Sequence, residues 1–177
     1  RGTFPGGVYG TNLRIHFSRV QSIDKTYPAG QGINLRGTNG YTSAFFAFGN
    51  EMYYQDINLE ISKKISKGFS LTGMVMNQAY NQAVIEGHAN NGRIIRSHIL
   101  VLEGKQKVSD KLVVRSELQT LLTRQDDGNW LFGLVELSAY SSWMFTVSDM
   151  YNSGQTNIHY FMGSAVWSHN AHRLQFS

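Results

Sequence analysis

The stretch from Leu112 to Leu122 alternates apolar and polar residues so regularly that it predicts one long β-strand. Leu112, Val114, Leu118 and Leu122 fall on one side, with Ser116 and Thr120, while Arg115, Glu117, Gln119 and Thr123 fall on the other. In a soluble sheet the apolar side would pack on a core. In a membrane barrel it would face lipid, and the polar side would face the lumen. This strand alone leaves both arrangements open.

The same alternation recurs along the chain and predicts a meander of eight to nine long strands without a helix. The predicted strands cover residues 9–23, 48–65, 69–85, 93–107, 112–122, 130–140, 143–151 and 158–167, and a ninth follows residues 168–172. Most reach ten residues, whereas soluble strands usually have about five or six and membrane strands about nine to eleven. Strand length therefore favours a transmembrane barrel.

The predicted connections differ between the two ends of such a meander. Those at one end are tight and cover residues 66–68, 108–111, 141–142 and 168–172. Those at the other end are mostly longer and cover residues 24–43, 86–92, 126–129 and 152–157. Tight periplasmic turns and longer extracellular loops are typical of outer-membrane barrels.

Composition narrows the class further. Charged residues are 16% of the 177 residues, against roughly 25% in an average soluble domain, and aromatic residues are 12%. No apolar run approaches the length of a membrane-spanning helix. The net charge is +4, but apart from residues 62–67 we read the Lys and Arg as scattered, so we expect no nucleic-acid binding. The chain has no Cys, which excludes disulfides and thiolate metal sites within it.

Aromatic residues cluster near the predicted strand ends, where a membrane barrel carries its two interfacial girdles. The alternative is that Trp and Tyr are simply good strand formers. We predict that the girdles include Phe69, Tyr80, Trp130, Tyr140, Trp143, Tyr151 and Trp167.

The chain begins without Met and closes on strand-like sequence, "HRLQFS". A sheet that ended there would leave an open edge, which proteins avoid. We therefore expect residues 1–177 to be part of a single barrel domain whose N-terminal and closing C-terminal strands lie outside this sequence.

Several stretches resemble a known family, notably "TRQDDGNW" and "SDMYN", together with most of the chain from Phe48 onward. They are similar to the C-terminal part of a Bacteroidota outer-membrane β-barrel family of unknown function, of the DUF6029 type. The resemblance implies an outer-membrane barrel of a diderm bacterium. It implies no activity and no site residues.

Candidate chemical sites are weak. His169 and His172 form an H-x-x-H pair in a predicted turn without a third ligand, so we interpret them as solvated. Asp126, Asp127 and Asn129 lack the calcium-loop pattern of an EF-hand and suit a tight hairpin.

Ser148, Asp149 and His159 would surround one loop, but no nucleophile motif is present. We therefore expect no enzyme activity, no metal and no cofactor.

The polar sides of the strands define the remaining candidate residues. We predict that the lumen-facing residues are Arg14, His16, Asn58, Glu60, Arg115, Glu117 and Gln119. Charges of both signs favour a filled or gated interior over a selective pore.

We expect a non-enzymatic structural or docking subunit in the bacterial outer membrane. Its expected contacts are membrane lipid, lipopolysaccharide and possible outer-membrane proteins or lipoproteins. A porin-like channel and a soluble all-β glycan-binding module are the alternatives.

Overall fold

The structure, a computed structural model, describes residues 2–3, 10–24, 26, 42, 44–89 and 93–177. These residues form one antiparallel sheet in which each strand pairs with the next strand along the chain. In order, the elements are β1 (Gly2–Thr3), β2 (Thr11–Ile23), β3 (Phe48–Lys64), β4 (Phe69–Asn81), α1 (Gln82–Ile85), β5 (Ile94–Ser109), β6 (Leu112–Leu122), β7 (Trp130–Ala139), β8 (Trp143–Asn152), β9 (His159–His169) and β10 (His172–Phe176). The predicted all-β, up-and-down arrangement is confirmed.

Two elements were not predicted. The two-residue strand β1 pairs with β2, and it is too short to show a period. The helical turn α1 occupies residues that we assigned to the end of a strand, so the prediction of a chain without a helix is wrong. Its first residue, Gln82, is fully buried and donates its backbone N–H to the carbonyl of Arg93, 2.8 Å away. That contact follows directly on the last β4–β5 pair, Asn81 with Ile94, so the helical turn begins where the ladder ends.

Cross-strand register defines two faces, because paired residues point to the same side of a sheet and neighbours along a strand point to opposite sides. The apolar face carries the row Leu13, Ile61, Gly73, Leu102, Leu118 and Gly133. The polar face carries the adjacent row Arg14, Glu60, Met74, Val101, Gln119 and Phe132.

Burial is distributed in the opposite way from a soluble protein. On the apolar face Val147 is 65% exposed and Leu118 is 57% exposed, whereas on the polar face Ser148 is 7% exposed and Asp56 is 5% exposed. Side chains crowd on the concave side of a curved sheet and spread apart on the convex side. The sheet therefore curls with its polar face inward and leaves its apolar face uncovered.

The connections confirm the predicted difference between the two ends. Strands β5 and β6 are joined through residues 110–111, β7 and β8 through 140–142, and β9 and β10 through 170–171. At the opposite end, residues 123–129 and 153–158 form longer loops. Of the predicted loop 24–43, the structure describes Asp24 and a bridge between Thr26 and Thr42, and the rest lies outside the described residues. We call these the tight-turn end and the loop end.

Within the described residues, the sheet does not close into a barrel, because β1 and β10 lie at its two edges and do not pair. No helix in this part of the chain is long and apolar enough to cross a membrane.

Candidate functional site

The centre of the polar face is an ion-pair cluster around Arg115 of β6. Its guanidinium Nη1 lies 2.9 Å from Glu103 Oε2 and 2.6 Å from Glu117 Oε2, and Nη2 lies 3.4 Å from Glu136 Oε2. These carboxylates come from β5, β6 and β7, so one cation joins three neighbouring strands. Gln119 also donates a side-chain hydrogen bond to Glu117. The cluster neutralises part of its own charge and fills the space above the sheet.

A second polar group lies between β2 and β3. Arg14 Nη1 lies 3.1 Å from Glu60 Oε1, and His16 Nδ1 lies 3.3 Å from Asp56 Oδ1. Asn58 donates to the same Asp56 oxygen at 3.2 Å. The structure thus places all seven residues that we predicted to face a lumen on the polar face, in these two groups.

The aromatic residues divide between the two faces. On the apolar face, Trp143 and Trp167 are cross-strand partners with ring centroids 6.4 Å apart, and Trp143 stacks on Phe145 at 5.7 Å. Phe69 shares this face at the tight-turn end, Tyr151 shares it at the loop end, and Tyr140 lies in a turn.

Tyr80 and Trp130 lie on the polar face, since Tyr80 pairs with Ile95 and Trp130 with Asn152. Their rings therefore do not join the apolar-face set. We predicted girdle residues from their proximity to a strand end, and that proximity does not determine on which face of the sheet a ring lies.

The loop end is covered by a buried polar network that the sequence did not reveal. The Gln82 amide donates to Glu86 Oε2 at 3.0 Å and to Asp126 Oδ1 at 2.9 Å. Asn152, also fully buried, donates to the Asp127 carbonyl at 2.9 Å. These contacts connect three consecutive loop-end connections of the meander.

Two glycines hold the last two of those loops together. A Cβ atom added to Gly154 would lie 2.5 Å from the Cα of Gly128, and one added to Gly128 would lie 2.7 Å from the Cα of Gly154. Both distances are far below van der Waals contact, so only glycine fits at this crossing. The loops 123–129 and 153–158 therefore pack backbone against backbone.

The considered hydrolase residues do not converge. Asp149 Oδ2 lies 2.7 Å from His159 Nδ1 on the apolar face. Ser148 is the preceding residue of the same strand and lies on the polar face. A sheet separates Ser148 from the carboxylate and the imidazole, so these residues do not form a catalytic triad.

The other weak candidates also serve the fold. His169 and His172 are exposed cross-strand partners beside the β9–β10 turn. Asp126 accepts the Gln82 hydrogen bond, and Asn129 Oδ1 accepts the Thr123 backbone N–H at 2.9 Å. Across the part of the chain that the structure describes, no three His, Asp or Glu side chains are grouped so that they could hold a metal ion.

Comparison with known proteins supports the resemblance noted in the sequence. The model of DUF6029, described as a family of unknown function, matches residues 1–177. The chain belongs to the DUF6029 family. Comparison with curated proteins and with solved structures found no match. Membership of this family provides no activity, so the function has to be argued from the geometry of the two faces.

Proposed function

We propose that this chain forms part of a bacterial outer-membrane β-barrel, with its apolar face against lipid and its polar face around the interior. The observation that carries the proposal is the distribution of burial between the two faces. Leu, Val, Ile and Phe side chains on the apolar face are exposed, whereas side chains on the polar face are crowded together. A continuous exposed apolar surface of this extent would drive aggregation in water. In a bilayer it is the favourable arrangement.

The dimensions of the apolar face also support this proposal. On β5 it is bounded by Arg96 at the loop end and Gln106 at the tight-turn end. Ten residues span roughly 33 Å of strand, which a tilt of about 40° reduces to about 25 Å, the height of the apolar band of such barrels.

Two pairs of polar side chains within this band contact each other. Asn77 Nδ2 lies 3.1 Å from His98 Nδ1, and Asp149 Oδ2 lies 2.7 Å from His159 Nδ1. Pairing lowers the cost of placing such groups in an apolar medium.

Within the membrane we favour a non-enzymatic structural or docking role. The Arg115 cluster occupies the polar face with three carboxylates from separate strands, and the Gln82 network covers the loop end. Paired charges that bridge strands stiffen an interior more than they provide a path for ions. The expected neighbours are outer-membrane lipid and lipopolysaccharide, with other outer-membrane proteins or lipoproteins as docking partners.

A porin-like channel for small solutes is the second candidate. It is favoured by the polar lining of the inner face, where Arg14, His16 and Asn58 remain partly open to solvent. Conductance steps from the purified protein in a planar bilayer would favour the channel. A silent bilayer and a stoichiometric partner from native membranes would favour the docking role.

The alternative from another class is a soluble glycan-binding module in which exposed rings such as Trp143 stack on sugars. Refolding the chain with vesicles of phosphatidylcholine, which has no net charge, distinguishes this soluble module from the barrel. We expect co-flotation with the vesicles and an electrophoretic mobility that changes on boiling. Protein that stays in the aqueous fraction, folded and without heat-dependent mobility, would contradict the membrane proposal.

A further inference from the structure

Folding gathers lysines that are spread along the sequence. The chain has seven, and six of them lie at the tight-turn end, around the β3–β4 and β5–β6 hairpins: Lys63, Lys64, Lys67, Lys105, Lys107 and Lys111. Residues 62–67 were already recognised as a basic run, and the fold places Lys105, Lys107 and Lys111 at the same end of the sheet. Neighbouring ammonium groups repel one another, so gathering them at one end costs the fold free energy.

Acidic residues do not balance this charge. Lys107 Nζ lies 2.6 Å from Asp110 Oδ1 in the β5–β6 turn. In the part of the chain that the structure describes, no ion pair joins the other five lysines to a carboxylate. The nearest acidic residues inward, Glu60 and Glu103, are already paired with Arg14 and Arg115.

Five of these lysines line a hollow of about 470 Å³: Lys64, Lys105 and Lys107 on the polar face, Lys67 in the β3–β4 turn and Lys63 from the apolar face. Ser70 is the direct cross-strand partner of both Lys64 and Lys105, so two lysines flank one serine on the polar face. The next row inward places the Ser62 hydroxyl beside that of Thr72. The third polar-face lysine, Lys107, is the cross-strand partner of Val113, which also lines the hollow.

We propose that this hollow binds a phosphate group. A phosphate carries up to two negative charges and several acceptor oxygens, and Lys binds it as a point charge with three donors. The hydroxyl groups of Ser62, Ser70 and Thr72 supply further donors from a rigid sheet. A carboxylate has only two oxygens and would leave part of this donor set unused.

The phosphate has two possible sources. One is a soluble phosphorylated compound that enters along the polar face. The other is the headgroup of an anionic lipid, since Lys63 lines the same hollow but belongs to the apolar face, beside exposed Ile61 and Ile65. The hollow lies on the open sheet between β2 and β6 and does not require a closed barrel. Binding of a soluble phosphate therefore does not depend on the membrane proposal.

The test uses the full chain in an uncharged detergent, with inorganic phosphate and pyrophosphate titrated by 31P NMR. A parallel arm uses phosphatidylcholine vesicles with and without phosphatidylglycerol. The variant is Lys64→Gln with Lys105→Gln, and the control is Lys111→Gln, which removes a lysine at the same end but outside the hollow, 5.4 Å from the Tyr140 ring. Because both sites are exposed, retained far-UV circular dichroism checks that the variants fold.

We expect the double variant to lose about tenfold or more in affinity and Lys111→Gln to lose less than about twofold. Binding of soluble phosphate identifies a small-molecule site, and binding seen only with phosphatidylglycerol identifies a lipid site. Two results would overturn the proposal. One is an equal loss of phosphate affinity per removed charge in the double variant and in Lys111→Gln. The other is that the chain inserts into phosphatidylcholine vesicles but binds none of the probes. Chain that binds phosphate but inserts into no vesicle would contradict the membrane role alone.

Discussion

Leu118 and Gln119 are consecutive residues of β6, yet they lie on opposite faces of the sheet. Leu118 pairs with Leu102 and Gly133 and is 57% exposed, whereas Gln119 pairs with Val101 and Phe132 and hydrogen-bonds to Glu117. The more apolar of the two is thus the more exposed. The proposed barrel explains this arrangement, because an apolar medium against the Leu118 side makes it favourable.

Substitutions at these two positions distinguish the environments of the two faces by their effects on stability. In lipid vesicles Leu118→Arg should reduce the free energy of unfolding by about 2 to 4 kcal/mol, because it places a charge in the lipid-facing band. Gln119→Arg should change it by less than about 1 kcal/mol, since Glu117 lies beside the new cation. Urea titration of the vesicle-bound protein measures both values. Equal effects would mean that the two faces are wrongly assigned.

Removing the central cation should destabilise the polar face. Arg115→Met leaves three carboxylates from three strands without their shared partner, and we expect a loss of about 2 kcal/mol. The matched control is Arg173→Met on exposed β10, where the guanidinium donates a 3.4 Å hydrogen bond to Gln175, and there the loss should be under about 0.5 kcal/mol.

Adding Glu136→Gln to the unmodified chain and to the Arg115→Met variant completes a double-mutant cycle. The cost of Glu136→Gln should be smaller in the Arg115→Met background than in the unmodified chain. Strictly additive costs would show that the contact contributes nothing to stability.

The glycine crossing at the loop end makes a steric prediction. Gly154→Ala should destabilise by about 1 to 3 kcal/mol, because its new methyl group would overlap the Gly128 backbone. Gly73→Ala is the control, since a Cβ added there meets nothing within 4 Å, and it should be neutral or slightly stabilising. Thermal unfolding of the two variants under one set of conditions measures the contrast. A Gly154→Ala variant as stable as Gly73→Ala would exclude the close packing of the two loops.

The loop network should weaken in acid. Hydrogen bonds from Tyr80 and Gln82, and the charge of His88, lower the pKa of Glu86 below its usual value. A carboxyl with a lowered pKa in the folded state contributes stability that is present above its unfolded pKa and is lost as pH falls through the folded pKa. We therefore expect hydrogen exchange in residues 82–89 to accelerate at acidic pH, relative to the intrinsic rate. In Glu86→Gln that pH-dependent part should disappear, and if it persists unchanged, another group causes it.

Period-2 alternation was sufficient to predict the main strands. The bounds of β6, Leu112–Leu122, were predicted correctly from hydrophobic pattern alone, and the two ends of the meander follow from connection length. The alternation of side chains along each strand also predicts the side of the sheet on which Arg14, Glu60 and Arg115 lie.

Contacts between distant residues could not be predicted in this way. The Gln82–Asp126 hydrogen bond joins residues 44 apart and is part of the buried loop network. The faces of Tyr80 and Trp130 depend on parity at strand ends, where the pattern is interrupted. The basic run at residues 62–67 is visible in the sequence, but its approach to Lys105 and Lys107 depends on the pairing of β4 with both β3 and β5.

The most direct test of the membrane account is the environment of the two neighbouring side chains in β6. The chain has no Cys, so Leu118→Cys and Gln119→Cys each give a single labelling site. Spin labels at these sites in lipid vesicles report collision with oxygen, which concentrates in lipid, and with a water-soluble nickel chelate. We predict that the label at 118 collides mainly with oxygen and that the label at 119 collides less with oxygen. A label at 118 that collides mainly with the nickel chelate would place the apolar face in water and contradict the proposed barrel.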